Sequence, residues 1–150
     1  NKETYQKIQK GKLKDVLNTI KYASEVGCHV EITTLLVTKM NDNLDEMKGL
    51  IDFIASVDPK IPWHISRYYP NYNYDEPATD IDFILKVYDE ARKTLDFVYT
   101  GNIPSSYGGS DTKCPSCNTI LINRSGHRAF VGAISEGACS SCGEEINVVL

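Results

Sequence analysis

Apolar positions between residues 12 and 26 recur at intervals of three and four: Leu13, Val16, Leu17, Ile20, Ala23 and Val26, with Lys and Asp on the opposite face. That period predicts an amphipathic helix. Gly27 stands where a glycine is favoured just past a helix C-terminus. Residues 29–37, HVEITTLLV, form an almost continuous apolar and β-branched run, which predicts a strand covered on both sides, as in a parallel sheet. The pattern then repeats. Asn43 with Glu46 makes a helix-starting pair ahead of a stripe of Leu44, Met47, Leu50, Ile51 and Ile54, and Asp58-Pro59 closes the element. A second strand is predicted from about Ile61 to Tyr69. A third helix follows, capped by Thr79 with Asp82 and striped by Ile81, Ile84, Leu85, Tyr88 and Ala91, and then a third strand beginning at Leu95. Strand starts near 29, 61 and 95, each joined to the next by one helix, predict βα units and a parallel sheet with right-handed crossovers.

Residues 105–112, SSYGGSDT, read as a flexible linker. Beyond them, Cys114, Cys117, Cys139 and Cys142 make two Cys-x-x-Cys hooks, CPSC and CSSC, with 21 residues between. This is zinc-ribbon spacing, slightly long, and each hook can place two thiolates on one tetrahedral ion. Asn118 and Gly143, which follow the hooks, are residue types that tolerate the left-handed turn such a hook needs. TILIN, an Arg-Ser-Gly turn and HRAFVGAI predict two strands, and EINVVL a third. Residues 111–150 are therefore read as a small β unit around a closed Cys₄ zinc site. A closed site has no open coordination position, so its expected role is folding, supplying stability that so small a core lacks. Rubredoxin-like iron and a disulfide framework are the alternatives for the same cysteines.

Charge and composition narrow the partners. A formal net charge of −4 argues against nucleic acid and anionic membrane. No run approaches the eighteen apolar residues or so of a membrane span. Five cysteines without a secretory signal point to a reducing, cytoplasmic setting. The chain opens at Asn1 rather than Met, which leads us to expect a longer protein or a removed leader.

In parallel α/β sheets the chemistry collects at the carboxyl ends of the strands. Here those ends are Thr33 through Asn41-Asp42, His64 through Tyr69, and Thr100, Gly101 and Asn102. Alternation puts His64 and Ser66 on one face of their strand, with Trp63, Ile65 and Arg67 on the other, while Glu31 and Thr33 share a face. Each has a plainer reading. His64 can be a satisfied core histidine, Arg67 an ion-pair partner of Glu31 or Asp42, Asn41-Asp42 a loop signal, and Gly101-Asn102 a turn. Tyr68, Tyr69, Tyr72 and Tyr74 either cover the sheet end or form a substrate rim. Cys28 reads as a buried small hydrophobe. No phosphate-binding glycine loop and no nucleophile elbow occurs.

Taken together, HVEITTLLVTKMND, IPWHISRYYPNY, FVYTGNIP and the paired CPSC and CSSC resemble the radical SAM proteins related to pyruvate formate-lyase activating enzyme. Within them the resemblance is to the AmmeMemoRadiSam system radical SAM enzymes, and it covers residues 5–150 in order. It implies the C-terminal part of a partial (βα) barrel over residues 1–110, followed by a zinc ribbon over 111–150. The parent enzyme it implies binds a 4Fe-4S cluster and S-adenosylmethionine. Such an enzyme cleaves S-adenosylmethionine reductively to methionine and a 5′-deoxyadenosyl radical, which abstracts hydrogen from a protein or small-molecule substrate. By position, His64 corresponds to a late-strand histidine near the S-adenosylmethionine site. Thr33 stands where activating enzymes have an arginine, and Asn41 is kept in a loop that usually carries Pro-Gly at Thr38-Lys39. Gly101 and Asn102 match the end of the last strand. Thr33, Asn41, His64 and Asn102 are thus expected on the S-adenosylmethionine side.

The family's Cys-x3-Cys-x2-Cys loop has no counterpart here, so the resemblance implies the half without the cluster ligands, catalytically silent by itself. The rival expectations are a zinc-stabilised protein-binding or scaffold module, and a small-molecule-binding α/β domain without iron chemistry.

Overall fold

The computed structural model describes residues 2–126, 128–146 and 148. Helices α1 (Lys2–Lys7) and α2 (Leu13–Glu25) lead into strand β1 (Ile32–Leu36), helix α3 (Leu44–Val57), strand β2 (Trp63–Arg67), helix α4 (Ile81–Ala91) and strand β3 (Val98–Gly101). The strands form one parallel sheet in the order β1-β2-β3, with Thr33 opposite His64 and His64 opposite Tyr99. The mixed α/β class and the parallel sheet are those the periodicity predicts.

Local chemistry explains the helix starts. The Asn43 side-chain oxygen accepts from the Asp45 and Glu46 amides at 2.8 and 3.3 Å, satisfying donors that the first turn of α3 would leave free. At α4 the expected cap is displaced by one residue. Asp80 accepts from the Asp82 amide at 3.1 Å, and its negative charge suits the helix N-terminus. Thr79 is buried instead. Its hydroxyl donates to the Leu36 carbonyl and accepts from the Tyr68 amide, fastening the ends of β1 and β2 together.

One face of the sheet meets α3 and α4. Leu36, Ile54, Trp63, Ile65, Ile84 and Val87 are wholly buried there, each contributing about 1.5–3 kcal/mol of transfer free energy. The Trp63 indole donates to Thr34 Oγ1 at 2.9 Å, so its one polar atom is satisfied inside this layer. The other face is uncovered. Thr33 and Leu35 are exposed, contrary to the expectation of a strand covered on both sides. The reason is that neither flanking helix reaches that side. Helix α2 forms as its period predicts, with Gly27 at φ 78° ending it, but no residue of it is buried. Val16 and Val26 of its apolar stripe remain 37% and 54% exposed. Cys28 is exposed as well, not a buried hydrophobe.

The segment expected to be a flexible linker is instead fitted against β3. Ser105–Tyr107 makes one 3₁₀ turn, the Thr100 amide donates to the Gly109 carbonyl at 2.9 Å, and Thr100 Oγ1 donates to the Gly108 carbonyl at 2.8 Å. Glycine allows this closeness: a Cβ at Gly109 would stand 2.5 Å from Thr100 Oγ1.

Beyond it, β4 (Thr112–Lys113), β5 (Ile120–Ser125) and β6 (Arg128–Val131) form an antiparallel sheet, and β7 (Ile134–Ser135) pairs with β8 (Ala138–Cys139). The single strand expected over HRAFVGAI, whose His127 lies outside the described residues, is broken at Gly132, where backbones approach so closely that a Cβ would lie 3.0 Å from the Ile120 carbonyl. The expected third strand, EINVVL, shows one isolated bridge, from Glu145 to Ala138. Asn147, Val149 and Leu150 of it lie outside the described residues. A second small core holds Cys114, Leu121, Ile122, Cys139 and Ile146. Among the described residues no helix is long and apolar enough to cross a membrane.

Candidate functional site

The two hooks fold as near copies. Cys114 accepts through its carbonyl from the Asn118 amide at 2.9 Å, and Cys139 from the Gly143 amide at 2.8 Å. Asn118 (φ 60°) and Gly143 (φ 79°) take the left-handed conformation that turns each chain back. The Cys114 and Cys139 amides then donate to the carbonyls of Thr119 and Glu144 at 2.9 and 2.8 Å. This curl brings the four sulfurs together, all within 4.8 Å of one another. Cys114 Sγ lies 3.6 Å from Cys142 Sγ, and Cys117 Sγ 3.7 Å from Cys139 Sγ. The edge of a tetrahedron with metal–sulfur bonds of about 2.3 Å is about 3.8 Å, so the four side chains can hold a tetrahedral ion. The cysteines are free, and these separations are longer than a disulfide bond.

Electrostatics point the same way. Hydrogen bonding with Thr119 and contact with Cys142 bring the Cys117 thiol down to about 6. The Glu144 amide pulls Cys142 down, but Cys117, burial and the other two sulfurs outweigh it and push that thiol up to about 12. One thiolate is easily formed; a second beside it is opposed until a cation shares the site.

The second region is the uncovered sheet face. Thr33, His64 and Tyr99 lie across it, as the parallel register dictates, and Glu31, just ahead of β1, reaches His64. Glu31 joins two imidazoles: Oε2 is 2.9 Å from His64 Nε2 and Oε1 is 3.0 Å from His29 Nε2. The hydrogen bond with His29, then that with His64, lowers the Glu31 carboxyl below its ordinary range against an opposing desolvation. The His64 ring stacks on Tyr99 at 5.1 Å. Tyr99 Oη sits 3.0 Å from Thr112 Oγ1, and the Arg124 guanidinium lies 5.3 Å from the Tyr99 ring. The face therefore runs continuously into the cysteine-bearing unit.

Of the expected side chains, Thr33 and His64 stand side by side on this face. Asn41 and Asn102 are committed to backbone. Asn41 accepts from the Val37 amide at 2.6 Å and donates to the Leu35 carbonyl at 3.0 Å, so its plainer reading as a loop former is the one observed. Asn102 (φ 57°) donates to the Arg67 carbonyl at 3.2 Å. Arg67 does not pair with Glu31 or Asp42. It donates to the Thr79 carbonyl and to Tyr69 Oη at 2.7 and 3.0 Å, because it points to the opposite face from Glu31. Among the tyrosines, Tyr68 and Tyr74 are fasteners, donating to the carbonyls of Tyr74 and Thr38 at 2.6 and 2.8 Å. Tyr69 and Tyr72 remain 48% and 94% exposed. Sequence reasoning missed Tyr99 and Arg124. Tyr99 was within reach, since alternation counted back from Gly101 puts it on the face of His64.

No protein-family profile matches the chain. No solved structure matches it. The chain is 36% identical over 155 residues to an uncharacterized protein of Methanocaldococcus jannaschii, a match that takes in all of this chain and 46% of that protein. The chain thus spans about half the length of the curated relative it matches.

Proposed function

We propose that this chain is the late-strand part of a radical SAM enzyme of the activating-enzyme type, forming one wall of a partial (βα) barrel and ending in a Cys₄ zinc ribbon. The observation that carries the reading is the uncovered polar face of a parallel sheet whose other face is packed by α3 and α4. In a barrel such a face turns inward, and its carboxyl end is where substrates sit. The relative is about twice as long as this chain, a length that could hold further strands of such a barrel.

A 4Fe-4S cluster does not fit this chain's own residues. Four cysteines converge on one closed site and Cys28 stands apart on the surface. No step of radical chemistry is therefore drawn through them. S-adenosylmethionine, bound in the intact parent, would supply the 5′-deoxyadenosyl group. Toward it this chain would present Thr33 and His64, with His64 oriented by Glu31 and Tyr99. Asn41 and Asn102 would shape the loops around them. Zinc is the reading for the four thiolates because soft sulfur donors in a tetrahedron suit it and a closed site suits a folding role. A reducing, cytoplasmic setting is part of the same proposal, since it would keep these thiols available to a metal.

The test is anaerobic turnover by a longer chain carrying a Cys-x3-Cys-x2-Cys segment ahead of residue 1. Reductive release of 5′-deoxyadenosine is expected, falling by roughly tenfold or more in His64→Ala with the helical signal unchanged. Unchanged turnover in that variant removes His64 from the site. A second reading, a zinc-stabilised protein-binding module without catalysis, draws on β6, where Phe130 and Val131 are 54% and 56% exposed. A longer chain with the cluster cysteines that leaves S-adenosylmethionine intact under reducing conditions would favour it.

A further inference from the structure

A cavity of about 180 Å³, partly open to solvent, lies between the end of β3 and the β5–β6 hairpin, bordered by Thr100, Ser105, Gly108, Ser110, Arg124 and Gly126. Among the described residues Arg124 is the one charged group on its wall. Nη1 of that side chain donates to the Ser110 carbonyl at 3.2 Å and to Thr112 Oγ1 at 2.6 Å, and the guanidinium lies against the Tyr99 ring. These contacts fix the fork in place. The guanidinium itself has no ion pair: among the described residues no carboxylate oxygen lies within 4.0 Å of its nitrogens, and the nearby Asp111 carboxylate accepts instead from the Arg124 backbone amide at 2.7 Å and from Asn123 Nδ2 at 3.1 Å. Only Nη1 of this half-buried guanidinium is shown engaged, so its remaining N–H groups can donate to an oxyanion.

We propose that this cavity is a binding subsite for a small oxyanion, the carboxylate or phosphate group of a small molecule, held by Arg124. The free edge of a guanidinium matches two oxygens of either group. Ser105 and Ser110 also border the cavity, and a serine hydroxyl turned into it can donate to the same oxygens. Size sets the limit. At about 30 Å³ per water volume, the space takes an oxyanion and a few further atoms, not a nucleotide. The selection is against the protein's overall charge of −4, so it is local to Arg124. The inference stands apart from the radical SAM reading, since it requires neither S-adenosylmethionine nor a cluster.

The experiment is an amide and guanidinium NMR titration of the full chain with inorganic phosphate and, separately, with acetate, at constant ionic strength against chloride. Saturable shifts at Gly108, Ser110, Gly126 and the Arg124 Nε–H are expected. Saturation by phosphate alone or acetate alone identifies the group preferred. Arg124→Gln should weaken binding by roughly tenfold or more, while Arg128→Gln on the exposed strand β6 leaves it unchanged. Ser105→Leu, which fills the cavity wall but spares the Arg124 hydrogen bonds, should also weaken it, and it keeps the test valid if Arg124→Gln unfolds. Shifts that match those of chloride, or saturable binding retained in Ser105→Leu or in folded Arg124→Gln, would overturn the proposal.

Discussion

The imidazole of His64 stacks on the ring of Tyr99, with centroids 5.1 Å apart and planes 22° from parallel. Tyr99 is also a contact between the sheet and the cysteine unit, through Thr112 at 3.0 Å and Arg124 at 5.3 Å. Arg92 adds another, its Nη2 donating to Asn118 Oδ1 beside the first hook at 3.0 Å. The polar face and the first metal-binding turn are thus each tied across to the neighbouring unit by side-chain contacts.

This arrangement makes metal removal a test of coupling. The cysteine unit has a core of few residues, so stripping the ion should unfold it. The helical signal should be largely retained, because α3 and α4 pack in the other core. Resonances of Tyr99 and His64 should nevertheless shift on chelation, since Thr112 and Arg124 are lost from Tyr99. Circular dichroism and NMR on the same chelator titration check both halves. Loss of helix in step with the metal would show that the two cores fold as one.

A pH prediction follows from Glu31. Its carboxyl is lowered from its ordinary value of 4.5, first by the hydrogen bond with His29 and then, against burial, by that with His64. A depressed folded value means that Glu31 favours the folded state above its ordinary value and loses that contribution as pH falls through the lowered one. In a ¹³C titration the Glu31 midpoint should move back up toward 4.5 in His29→Gln. A midpoint unmoved by that change would mean that the His29 contact does not persist in solution. The exposure of the group keeps the stability effect small.

How much of this was legible depended on whether one chain segment held the signal. Asn43 and its capped amides lie within four residues, and the turns at Asn118 and Gly143 follow from hooks written in the sequence. The order of strands and helices also came from local period. What failed was non-local. The stripe of α2 predicts a helix but does not say what covers it, and among the described residues none of its side chains is buried. Thr79 looks like a cap until the Leu36 carbonyl, 43 positions away in sequence, claims its hydroxyl. The Tyr99–His64 stack and the Arg124 cavity join residues from different strands and different cores, so only the register of assembled strands reveals them.

The loop after β1 carries the last prediction. The resemblance places Pro-Gly at Thr38-Lys39, and both residues found there are under strain of an identifiable kind. Thr38 Oγ1 is buried with no hydrogen-bond partner among the described residues, while its carbonyl is usefully engaged by Tyr74 Oη at 2.8 Å. Thr38→Val removes the orphan hydroxyl and keeps both the shape and the carbonyl, so it should stabilise by about 1 kcal/mol. Lys39 sits at φ 62°, where a side chain is strained and glycine is not. Lys39→Gly gives up an ion pair with Glu76 at 2.8 Å, but that lysine is 70% exposed and the pair is worth little. The net change should therefore raise the unfolding midpoint, and the two substitutions act on different groups, so together they should exceed either alone. Urea unfolding of the three variants decides it: a midpoint in Thr38→Val no higher than that of the parent chain would mean that the hydroxyl finds a partner in solution.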